Sequence, residues 1–129
     1  MFRTIILLSI SVILISSCKK EQSNGETIFR TGKNSRGEKV AWNENTNIAT
    51  GCEDCHGRNG GNFLNKDESI RYKDLSNPKL HKVPYTDALL DRFLEQKLKS
   101  DGKKADTPIK TKMDQADKND LIHFLKMLK

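Results

Sequence analysis

Three side chains in one short string can do metal chemistry. They are Cys52, Cys55 and His56, in the run Cys52-Glu53-Asp54-Cys55-His56. Two intervening residues place the thiols about one helical turn apart. That spacing suits addition of both sulfurs across the two vinyl groups of one porphyrin, and C-x-x-C-H is the attachment signature of c-type haem. The histidine follows at once, so the turn that carries the second thioether also aims an imidazole at the iron. Other chemistries share parts of the string. A redox dithiol uses C-x-x-C beside a βαβ pattern, and no such alternation is present. A zinc site needs a second ligand pair at metal spacing, whereas His81 and His123 stand singly. Gly51, Gly57, Gly60 and Gly61 surround the motif and let backbone approach a flat cofactor closely. One covalent haem c is therefore the expected cofactor.

A second axial donor has several candidates. Met113 offers a soft, uncharged thioether in a loop just before a helical pattern. Met127 falls in the last turn of that pattern, where packing is its ordinary use. His81 sits among lysines, where a solvated surface histidine is the usual outcome. Met113 is preferred and His81 is the main alternative, with His123, Met127 or an open site also left.

The elements that must position these donors are legible in part. The chain has 129 residues, enough for one domain. Residues 1–17 read as a signal segment: Arg3 precedes an apolar run, Ile5 to Ile15, which is too short to span a bilayer. Leu14-Ile15-Ser16-Ser17-Cys18 resembles the lipobox of bacterial lipoproteins, which implies an acylated Cys18 as the first mature residue. Residues 18–24 then read as a polar tether and residues 25–129 as the folded domain. Export agrees with haem c, which is attached outside the cytoplasm. The expected location is thus a bacterial membrane, facing the periplasm or the cell exterior.

Within the domain, Gly25 to Arg30 reads as a short helix capped by Asn24. Residues 31–51 read as a long polar loop inserted before the motif, anchored by Val40 and Trp42. Trp42 has two uses there, loop packing or contact with the haem edge. Phe63 and Leu64 are expected to turn inward. Residues 68–75 read as a weak helical turn and 79–84 as extended chain. Thr86 caps a helix running to Lys99, with Leu89, Leu90, Phe93, Leu94 and Leu98 on one stripe. The last helix is expected from Asp117, with Asp120 completing a capping-box arrangement. Leu121, Phe124, Leu125 and Leu128 form its apolar face. Helices without alternating strands give an all-α expectation: a small helical domain wrapped around one haem.

Three stretches resemble the class I cytochrome c family. Gly25-Glu26-Thr27-Ile28-Phe29 resembles its first helix, where a glycine and an aromatic four residues on meet the last helix. Gly51 to Gly61 resembles its haem-binding stretch. Met113 to Leu128 resembles its ligand loop and final helix, with Phe124 at the aromatic position. The resemblance implies axial ligation by His56 and Met113, and a single-electron carrier rather than an enzyme. Alternatives are a cytochrome subunit of a larger oxidoreductase or a haem-based sensor with a labile sixth ligand. Two features depart from the family pattern: the long insert between Phe29 and Cys52, and the absence of a proline beside Met113, which Lys112 and Asp114 flank. No carbonyl orienting the second nitrogen of His56 can be named from the sequence.

Without residues 1–17 the chain keeps 22 of its 23 basic residues against 17 acidic ones, a net charge of +5. Lys97, Lys99, Lys103, Lys104, Lys110 and Lys112 lie on the N-terminal side of Met113. They read either as a basic ring steering an acidic redox partner or as an ordinary solvated surface. No aromatic-interleaved basic motif points to nucleic acid, and a monomer is expected.

Overall fold

The computed structural model describes residues 21–61 and 68–129. The signal segment, Cys18, Phe63 and Leu64 lie outside the described residues. Among the described residues no helix is long and apolar enough to cross a membrane.

Two helices make the frame. Helix α1, Asn24–Thr31, is capped by Ser23, whose hydroxyl accepts from the Glu26 amide. The cap is thus Ser23 and not Asn24. Asn24 instead sends its amide to Asp117 and Asp120 on the last helix. That helix, α5 here, spans Gln115–Met127. The two cross so closely that a Cβ on Gly25 would stand 2.0 Å from the Asp120 carbonyl oxygen. Phe29 and Phe124 meet beside this crossing, ring centroids 5.2 Å apart. Ile28, Phe29, Val40, Leu121, Phe124 and Leu125 form the main core cluster.

Helix α5 starts earlier than expected. Its N-cap is Asp114, whose carboxylate accepts from the Asp117 amide at 2.8 Å. In the sequence, Asp117 and Asp120 imitate a cap at the same three-residue spacing as Asp114 and Asp117. Asp117 is in fact buried and serves as an acceptor for other side chains. Helix α4, Asp87–Gln96, has Thr86 as N-cap as expected, but it ends short of Lys99. Lys97 closes it in the left-handed conformation, and Leu98 leaves the stripe to bridge Lys104. Two one-turn helices complete the set: α2, Glu53–His56, and α3, Tyr72–Leu75. Residues 77–81 form a turn on the Asn77 carbonyl where extended chain was expected. A second cluster, Leu75, Tyr85, Leu90 and Ile122, joins α3, α4 and α5.

The all-α expectation is overturned. Strand β1, Ala41–Asn43, pairs antiparallel with β2, Ile109–Thr111, so the architecture is mixed. Their sequences, Ala-Trp-Asn and Ile-Lys-Thr, are too short to display alternation, and their partners are distant in the chain. The insert is equally no plain loop. Lys33 bridges Lys39, and Trp42 bridges Ala49.

Candidate functional site

The motif forms one helical turn. The Cys52 carbonyl accepts from the amides of Cys55 and His56, at 3.3 and 2.9 Å. Asp54 folds back to accept from the Gly51 amide at 2.9 Å. The turn is pressed onto the end of α1: a Cβ on Gly51 would lie 2.4 Å from the Arg30 carbonyl oxygen. Arg30 also pairs with Glu53 of the motif at 2.6 Å. Both thiols are free, Cys55 exposed and Cys52 half-buried against the main core cluster. Burial, with a small opposing effect from the Lys97 ammonium, pushes the Cys52 thiol up to about 11.

The most informative contact belongs to His56. Its Nδ1 lies 2.8 Å from the Glu68 carbonyl oxygen. A carbonyl only accepts, so Nδ1 is the donor in this contact, and in the neutral ring Nε2 is then the nitrogen with the lone pair. A carbonyl on the second nitrogen is what fixes a ligating imidazole in tautomer and orientation. The sequence could not supply it, because a backbone oxygen leaves no mark in residue identity.

Met113 is half-buried and packs against the same core cluster as Cys52, along with Leu94, Ile70 and Leu128. The other candidates are placed differently. His123 is exposed, and Met127 is 51% exposed. His81 packs edge-on to Tyr85, a member of the second cluster, with its Nε2 buried and without a partner. Of the candidate second ligands, Met113 is thus the one that shares a core cluster with a motif cysteine.

Met113 is also flanked by tethers. The Lys112 amide donates to the Val40 carbonyl at 2.9 Å. Thr111, paired with Ala41, donates from its hydroxyl to the Leu94 carbonyl and accepts from Lys97 Nζ at 2.8 Å. Burial pulls the Lys97 ammonium down to about 8, and it lies 5.6 Å over the Phe93 ring. Sequence reasoning grouped Lys97 with the surface lysines and missed this inward role. The rest of that group divides. Lys110 pairs with Glu44 and Lys103 with Asp101, while Lys99, Lys104 and Lys112 are exposed. Trp42 is half-buried in β1 with Lys39 over its ring.

Among the described residues, no group of three or more His, Cys, Asp or Glu side chains converges as a metal cage. Zinc therefore lacks its ligand set there. A porphyrin brings its own four nitrogens, so this donor set fits it: two free thiols one turn apart, an imidazole whose Nδ1 donates to a carbonyl, and a thioether on the same core. Two open grooves lie elsewhere, one along α4 and α5 beside Asp87 and Lys126, the other along α1 and the insert. No protein-family model matches the chain, and neither curated proteins nor solved structures yield a match.

Proposed function

We propose that the chain is a lipid-anchored c-type cytochrome that carries single electrons between redox partners outside the cytoplasm. The observation that carries the reading is the His56 Nδ1 to Glu68 carbonyl contact within a C-x-x-C-H turn. It engages Nδ1 and not Nε2, in a turn whose two thiols are unpaired. Cys52 and Cys55 would hold the porphyrin by thioethers, and His56 and Met113 would be the axial ligands. A bound haem supplies reversible one-electron chemistry, with a His/Met pair favouring a raised potential. The residues contribute position and environment. Cys52 and Met113 border one apolar core, which lowers the local dielectric. Glu68 holds the imidazole ring. Cys18, acylated, would tether the domain to the membrane. The exposed Lys99, Lys104 and Lys112 favour an acidic protein partner.

The test is the optical spectrum of the haem-loaded protein as wild type and as Met113→Ala. Methionine bound to ferric haem gives a weak far-red sulfur–iron band. The expected result is a band in the wild type that Met113→Ala abolishes. A wild type without the band that binds carbon monoxide or cyanide readily would overturn His/Met ligation. That outcome favours a sensor, or the cytochrome subunit of a larger oxidoreductase. A band that survives Met113→Ala would move the ligand to another methionine.

A further inference from the structure

The insert ends in an arrangement that the proposed function does not need for haem attachment. We propose that residues 33–43 are a clamp that positions Met113 as a ligand, with Arg36 as its key positioning residue. The proposal rests on the His56/Met113 reading. It accounts for how a ligand segment without a flanking proline is held.

The clamp grips Met113 from both sides. On the N-terminal side, β1 pairs with β2 in the register Ala41 to Thr111, and the Val40 carbonyl receives the Lys112 amide at 2.9 Å. The Glu44 amide extends this contact to the Pro108 carbonyl at 2.9 Å. On the C-terminal side, one Arg36 nitrogen, Nη2, donates to Asp114 at 3.1 Å and to Asp117 at 3.2 Å. Asp114 is the residue after Met113 and the cap of α5. Asn34 is buried and orders the turn that presents Arg36. Its side-chain oxygen accepts from the Arg36 and Glu38 amides, and its nitrogen donates to Asp117 at 3.1 Å and Glu38 at 2.7 Å. Asp117 is 1% exposed. A carboxylate buried so deeply is costly unless its oxygens are bonded, and Asn24, Asn34 and Arg36 bond them. Positions 111, 112 and 114 are therefore each tied by hydrogen bonds, while Met113 between them packs against the core cluster.

A methionine held this way yields to an external ligand only when its segment opens, and loosening the clamp raises the open fraction. The experiment measures imidazole binding to the ferric, haem-loaded full chain, together with the sulfur–iron band and the melting temperature. Arg36→Ala is expected to raise the apparent imidazole affinity about tenfold, because apparent affinity scales with the competent fraction, and to weaken the band. Arg36→Lys, which keeps the charge but not the fork, should recover part of the loss. Lys126→Ala breaks the exposed Lys126–Asp87 pair on the opposite end of α5. As a control away from the clamp, it should leave imidazole affinity and the band at their wild-type values. Asn34→Ala is read the same way should Arg36→Ala not fold. Unchanged imidazole affinity in a folded clamp variant with a wild-type band overturns the clamp alone. A wild type lacking the band overturns the ligation reading, and the clamp with it.

Discussion

The motif turn and the Met113 segment are held in opposite ways. The motif is nearly self-sufficient. Its helical turn closes on the Cys52 carbonyl, and Asp54 seals its own entry at Gly51. From outside it takes the Arg30 pair and one carbonyl, from Glu68. The Met113 segment has no such local closure. Its position comes from Val40 and Ala41 in the insert, Leu94 and Lys97 at the end of α4, and the Asp114 cap of α5. A donor within a helical turn inherits its geometry from short-range bonds. A donor in a loop must borrow it from elements that fold elsewhere. The second kind is the one a single distant substitution can loosen.

The largest separation of the two regions comes from replacing their donors. Cys52→Ser with Cys55→Ser should abolish covalent haem completely, while Met113→Ala should leave it attached. Extraction of denatured protein with acid acetone reads this directly. Haem retained by the double variant would remove the motif from the proposal.

Phe124→Ala probes the support that the regions share. Its ring meets Phe29 in the cluster that Cys52 and Met113 both touch. Truncation should cost about 3–5 kcal/mol, read as a fall in melting temperature. A loss well below that would mean the cluster collapses around the vacancy, and the two regions would then be less coupled than their packing indicates.

The two motif thiols should themselves differ before haem is attached. A Cys52 thiol at about 11 against the usual 9.0 holds roughly a hundredth of the ordinary thiolate at neutral pH. Alkylation of the haem-free chain should therefore modify exposed Cys55 well before Cys52, with peptide mass spectrometry as the readout. Equal rates would mean that the turn opens freely without its cofactor.

A smaller effect is expected in acid. Hydrogen bonds from Asn34 and Arg36 hold the Glu38 carboxyl below its usual 4.5. Lys126 lowers Asp87 below 3.8, and Gln115 with Lys118 does the same for Asp91. Folded values below the unfolded ones stabilise the fold above those pH values and lose that contribution as pH falls through them. Melting temperature should thus be insensitive to these groups above pH 4.5 and decline below it. The Lys126→Ala variant should show a shallower decline, because Asp87 then loses its main partner.

Much of this was written in local pattern. The C-x-x-C-H string, the Thr86 cap and the apolar stripe of α5 all act within a turn or two. The meeting of Gly25 and Phe29 with the last helix at Phe124 was expected only through the family resemblance, and the structure places those residues in contact. Two of the misreadings share a cause. Asp117 looks like a cap in sequence and is a buried acceptor in the fold. Lys97 looks like one more surface lysine and is drawn inward to Thr111. In each case a partner distant in the chain outcompeted the local use.

The sequence by itself determined the C-x-x-C-H string, its one-turn spacing and the helices that frame it, because these depend on neighbours within a few residues. The tertiary structure alone decided that the fold is mixed, that a Glu68 carbonyl sets the His56 tautomer, and that the insert embraces Met113. Backbone carbonyls and three-residue strands carry no signature of their own. They acquire meaning only when folding brings a donor within about 3 Å of an acceptor.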